Sequence, residues 1–189
     1  MAQQFGASDQ AANWAVVGWS MGGTCAIDLT VMHPDLFSTF EDIAGDHGPT
    51  SGTKDQTISR LYGGDAAKWD EFDPRTAMMR HGPYQGVAGW FEDTVTPTNT
   101  ASPYGGGAGG HRPQSDAPTG FGGHDEFKDS DEAGAADDLC ATAKTVGISC
   151  SVHRIISFHT WQFAERAFSD ALPWLAAQIK TPGATDSPA

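Results

Sequence analysis

Runs of apolar and polar positions outline the elements of this 189-residue chain. Trp14-Ala15-Val16-Val17 is continuous enough for a buried strand over 14–18. The stretch 21–32 has helical spacing, with Cys25 in step with Leu29 and Met32 as core-facing positions. His33-Pro34 ends that helix, because proline cannot continue the hydrogen-bond ladder. Phe37 to Ala44 predicts a second short strand. From Gly45 to Arg80 the chain is rich in Gly, Pro and Asp, with helical fragments near 54–62 and 65–71, which suits a cap over a site. Gly86 to Phe91 predicts a third strand, and Asp131 to Val146 a helix with Ala133, Ala136, Cys140 and Ala143 on one face, ended by Gly147. Ile148 to Ile156 predicts a fourth strand. A closing helix is expected from about Gln162 to Lys180, with Ala164, Phe168, Leu172, Leu175 and Ile179 facing the core and a kink or restart at Pro173. Strands alternating with helices predict a parallel α/β sheet in a single domain over residues 1–180, followed by a tail, 181–189, of disordered composition. Residues 94–124 hold almost no aliphatic side chains and predict a mobile glycine-rich insertion.

The switch between the first strand and helix carries the strongest chemical signal. Gly18-Trp19-Ser20-Met21-Gly22-Gly23 is a G-x-S-x-G pattern placed between a strand and a helix. Glycines two residues before and after the serine are expected to let the strand and helix backbones pass closely. The serine then occupies a strained turn that lifts its hydroxyl above the sheet, over a helix N-terminus that favours negative charge. Ser20 is therefore the candidate nucleophile, against the plainer reading of a tight structural turn.

Composition narrows the partners. Eleven basic against 24 acidic residues give a formal charge of −13, so nucleic acid and anionic membrane surfaces are not expected partners. No apolar run reaches the 18 or so residues that a membrane span needs, and Met1-Ala2-Gln3-Gln4-Phe5 shows no secretion signal. Neither Cys-x-x-Cys nor a His/Cys cluster with metal spacing occurs, and no cofactor is expected. Cys25 reads as a core residue; Cys140 and Cys150 either bridge helix to strand in an oxidising compartment or stay as two buried thiols.

An activated serine needs a base, and an acid to orient the base. Seven histidines compete for the role of base. His33 and His153 have ordinary structural readings, His47 and His81 lie in the cap-like region, and His111 and His124 lie in the glycine-rich stretch. His159 falls just after the last strand, at the carboxyl end where functional groups gather in such sheets, and it is the candidate base. The acid is expected between the third strand and His159, in the chain order serine, acid, histidine. Asp125, in a turn shortly before the next helix, is the first candidate. Glu126 and Asp131 come next; Glu92 and Asp93 follow the strand most directly, and Asp116 and Asp129 remain open.

Trp14 to Gly23, His33-Pro-Asp-Leu-Phe-Ser-Thr-Phe-Glu-Asp-Ile-Ala-Gly-Asp46, Phe72-Asp-Pro74, Ala171-Leu-Pro-Trp-Leu175 and His159-Thr-Trp-Gln-Phe163 together resemble α/β-hydrolase esterases related to esterase D and the antigen 85 mycolyltransferases. The resemblance covers most of 12–93 and 131–180. It implies the α/β-hydrolase fold, Ser20 as nucleophile, His159 as base and the backbone N–H of Met21 as one oxyanion donor. It also implies a small-molecule or lipid acyl ester as substrate, with the cell envelope or the exterior as its setting. Such hydrolases carry four strands before the elbow strand, so this chain is expected to be the carboxyl-terminal part of the fold, lacking the first strands and the second oxyanion donor. The acyl-enzyme would pass its acyl group to water, as an esterase, or to a sugar hydroxyl, as an acyltransferase; a non-catalytic remnant is the third reading. An elbow strand without its neighbour would leave an open sheet edge and invite self-association.

Overall fold

The computed structural model describes residue 4, residues 6–95 and residues 132–181. Strand β1 (Ala15–Trp19) leads through a sharp turn into helix α1 (Met21–Met32), and β2 (Thr39–Ile43) follows. Three short helices come next: α2 (Lys54–Tyr62), α3 (Ala66–Glu71) and α4 (Pro74–His81). Strand β3 (Ala88–Val95), helix α5 (Glu132–Thr145), strand β4 (Ser149–Ile156) and helix α6 (Trp161–Gln178) complete the order. The strands form one parallel sheet in the order β1-β2-β3-β4, so β1 is an edge strand among the described residues. The expected insertion 94–124 lies almost wholly outside the described residues, as does nearly all of the expected tail.

Register divides the side chains between two faces. Phe40 and Phe91 point to one face, where they meet edge to face with ring centroids 5.3 Å apart. They are fully buried with Ile27 and Val31 of α1, Met78 of α4 and Leu139 of α5. Gly89 makes room for this, because a Cβ there would come within 2.2 Å of the Phe40 ring. A disulfide between Cys140 and Cys150 ties α5 to β4 on the same side, which selects the bridged alternative. The opposite face packs Ile43 and Ile155 against Phe163, Ala164 and Ala167 of α6.

Several expectations need correction. Cys25 is exposed and Leu29 is 44% exposed; α1 instead buries Gly23, Thr24, Ala26, Ile27, Thr30 and Val31. Apolar residues surround this helix on nearly all sides, so periodicity alone could not choose the inward face. In α6 the buried stripe is Phe163, Ala164, Ala167, Ala171 and Leu175, while Phe168 and Leu172 are 41% and 49% exposed. Alanine along this stripe lets the helix lie close to the sheet, and the larger side chains turn outward. The helix also runs without a restart through Pro173, which forgoes one ladder bond in 18 residues. Helix α4 was not expected, although Asp73 caps it and Pro74 opens it, a recognisable start signal.

Candidate active site

Ser20 lies between the carboxyl end of β1 and the first residue of α1, with φ 57° and ψ −128°. This is a sparsely populated backbone region for any residue with a Cβ, costing on the order of 1–3 kcal/mol. Its amide donates to the Ile43 carbonyl at 2.8 Å, which extends the β1–β2 ladder, while its carbonyl accepts from Gly23 N at 2.8 Å. Strand and helix thus both hold the turn. Met21 begins α1, and its N–H belongs to the first turn, where amides have no acceptor within the helix.

The glycines around the serine divide their roles differently from the pattern's expectation. A Cβ at Gly18 would lie 1.8 Å from the Gly22 carbonyl oxygen, a backbone collision no side chain can relieve. Gly22 itself has open space around its missing Cβ. The second tight position is Gly23, whose Cβ would lie 2.0 Å from Asp42 Oδ1. Asp42 is a residue the sequence reading missed. Its carboxylate is 2% exposed, accepts a 2.9 Å bond from Gly45 N, and occupies space kept free by Gly23 and Gly45. A carboxylate so close to the first turn of α1 is stabilised by the helix N-terminus. Gly23 and Gly45, flanking the site in sequence, were the available signal.

His159 follows β4 by three residues and stacks on Trp19, with ring centroids 5.1 Å apart and planes at 28°. Trp161 closes on the same indole at 4.1 Å. The fold thus brings the imidazole onto the residue adjoining Ser20. Met21 is exposed at the same end of the sheet. Asp125 lies outside the described residues, as do Glu126, Asp131, Asp116 and Asp129. Glu92 and Asp93 do not follow the third strand; they lie within β3, which extends to Val95. Ala44 N donates to the Glu92 carbonyl just as Ser20 N donates to the Ile43 carbonyl, so Asp93 stands level with Ala44 and Ser20 across the sheet. It is fully buried, and its Oδ1 accepts from Thr94 N at 2.8 Å. Glu92 turns to the other face, where Trp90 Nε1 donates to it at 2.8 Å; burial raises its carboxyl above the usual range.

The remaining described histidines have structural settings. His33 caps α1 and His81 ends α4. The His153 ring lies flat on Trp90 at 3.5 Å, and burial lowers its pKa. His47 Nε2 lies 3.3 Å from Asp138 Oδ2. His111 and His124 lie outside the described residues. Among the described residues no cluster of His, Cys, Asp or Glu has the grouping of a metal site. No helix there is long and apolar enough to cross a membrane.

The architecture is that of several solved hydrolases. A ferulic acid esterase superposes over 94% of this chain and 56% of its own, with a TM-score of 0.59 and 14% identity. An S-formylglutathione hydrolase from Agrobacterium tumefaciens matches 90% of this chain and 50% of its own, with a TM-score of 0.60 and 17% identity. FphF, a fluorophosphonate-binding serine hydrolase of Staphylococcus aureus, matches 92% and 58%, with a TM-score of 0.56 and 13% identity. The chain has the α/β-hydrolase fold. It spans about half the length of these structures. An uncharacterised protein of Corynebacterium glutamicum is 33% identical over 95 residues, which make up 47% of this chain and 22% of that protein. No family model matches the sequence.

Proposed function

We propose that this chain carries the nucleophile-bearing part of a serine esterase acting on carboxylic esters. The observation that carries the reading is the backbone of Ser20, held at φ 57° and ψ −128° between strand β1 and a helix N-terminus. Proteins keep such strain where it serves a purpose, and a strained turn between strand and helix is suited to presenting a serine hydroxyl to a substrate. In the proposed reaction Ser20 Oγ attacks the ester carbonyl while His159 takes its proton. The N–H of Met21 donates to the developing oxyanion. Collapse of the tetrahedral species expels the alcohol, which receives the proton from His159, and water then releases the acid from the acyl-enzyme by the same steps in reverse.

The orienting carboxylate is assigned first to Asp125. Asp93 is the second reading, favoured by its full burial at the carboxyl end of β3, level with Ser20. Asp125→Asn and Asp93→Asn distinguish the two: the true acid depresses kcat without lowering the melting temperature in proportion. For the nucleophile, fluorophosphonate labelling should modify the protein and fail with Ser20→Ala. Hydrolysis of short p-nitrophenyl esters should fall by roughly 10⁴-fold or more in the same variant. Labelling that persists in Ser20→Ala would sink the reading.

A further inference from the structure

A cleft of about 310 Å³ lies between the loop after β2, helices α2 to α4 and helix α5. Its wall holds two permanent cations, Lys54 and Arg75, in a chain whose formal charge is −13. Both carboxylates of the wall are already engaged. Asp73 Oδ2 accepts from Thr76 N at 2.9 Å and from Thr76 Oγ1 at 2.6 Å, capping α4. Asp138 Oδ2 lies 3.3 Å from His47 Nε2. Among the described residues no carboxylate pairs with Lys54 or Arg75.

Lys54 is also held in place. Its ammonium sits 3.9 Å from the centroid of the Trp69 ring, a cation–π contact. Trp69 is buried and fixed by its Nε1 donating to the Pro49 carbonyl at 3.1 Å. An ammonium fixed by an aromatic face, rather than by a carboxylate, keeps its charge available to a ligand. The cleft is joined to the elbow by short links. Thr24, one turn into α1 from Ser20, exchanges hydrogen bonds with the backbone of Asp46 at 3.1 and 3.2 Å, and His47 follows. The span from Ser20 to the cleft is on the order of 15 Å, within reach of the far end of a long-chain acyl ester.

We propose that this cleft binds an oxyanion group, a carboxylate or phosphate, carried by the substrate, through Lys54 and Arg75. The substrate role rests on the esterase reading; the anion site does not. Inorganic phosphate and succinate are titrated separately, at matched ionic strength, against the indole N–H resonance of Trp69, assigned with Trp69→Phe. A saturable shift with either anion, lost in Lys54→Gln/Arg75→Gln, is expected, and the anion that binds identifies the source. No shift with either anion, or a shift retained by the double variant, overturns the site. For the substrate role, the ratio of kcat/KM for p-nitrophenyl hydrogen tetradecanedioate, whose extended chain spans the distance, to that for p-nitrophenyl tetradecanoate should fall about tenfold in the double variant, as loss of two charge contacts implies. An unchanged ratio overturns that role. Saturable binding with neither ester hydrolysed upholds the anion site and counts against the esterase reading alone.

Discussion

Phe40 and Glu41 are neighbours in β2, both fully buried, and they point to opposite faces of the sheet. Phe40 enters a closed apolar layer made by α1, α4 and α5. Glu41 faces the α6 side, and both of its carboxyl oxygens are shielded from solvent without a hydrogen-bond partner among the described residues. Burial, then Glu92 and Asp42 nearby, pushes its pKa up to about 8. One face therefore supplies cohesion, while the other stores a carboxyl that folding keeps protonated. The contrast shows that burial by itself says little about stability; the sign depends on what the side chain meets.

The largest expected effect is on the apolar face. Phe40→Ala should cost about 3–5 kcal/mol in denaturant unfolding, since Gly89 offers no side chain to refill the space. A loss under about 1 kcal/mol would show that this layer is not the cohesive one.

Next comes the strand-to-helix turn around Ser20. Gly18→Ala forces a Cβ into backbone 1.8 Å away, so it should destabilise the protein by about 1–3 kcal/mol or more. Gly22→Ala, with open space, should be far milder. Equal losses from the two would mean that strand and helix can separate without penalty.

A smaller and opposite effect is expected at Glu41. With its folded pKa near 8 and an ordinary value of 4.5 when unfolded, the folded state holds more protons between those values. Stability therefore falls as pH rises from about 4.5 to 8. Glu41→Gln should remove most of that slope, raising stability at pH 8 relative to the wild type with little change at pH 4. Asp28, also raised to about 8 by burial and by Asp73, leaves a residual slope of the same sign. Unfolding curves across pH would sink the assignment if Glu41→Gln kept the full slope.

The smallest effect concerns the edge. β1 presents Val17, 39% exposed, on an outer strand of the described sheet. Val17→Lys should weaken any concentration-dependent association seen by sedimentation while leaving the unfolding midpoint nearly unchanged, because charge on an edge opposes strand pairing. Association that is insensitive to this change would place the contact elsewhere.

Much of the fold was legible in sequence because strand and helix repeat their apolar positions at different periods. The four strands, the parallel sheet and the strand-to-helix turn at Ser20 follow from local patterns: apolar runs alternating with helical spacing, glycines around a serine, and a proline stop. Helix α4 is equally legible through its Asp73-Pro74 start signal. Local pattern could not settle the inward faces of α1 and α6. Cys25 and Phe168 have suitable spacing, yet neighbouring elements decide which stripe is covered. Nor could it show the stacking of His159 on Trp19, the carboxylate of Asp42 beneath the elbow, or the cleft that gathers Lys54 and Arg75. Those groups lie far apart along the chain, and only the packing of strands and helices into one body brings their side chains within a few ångströms.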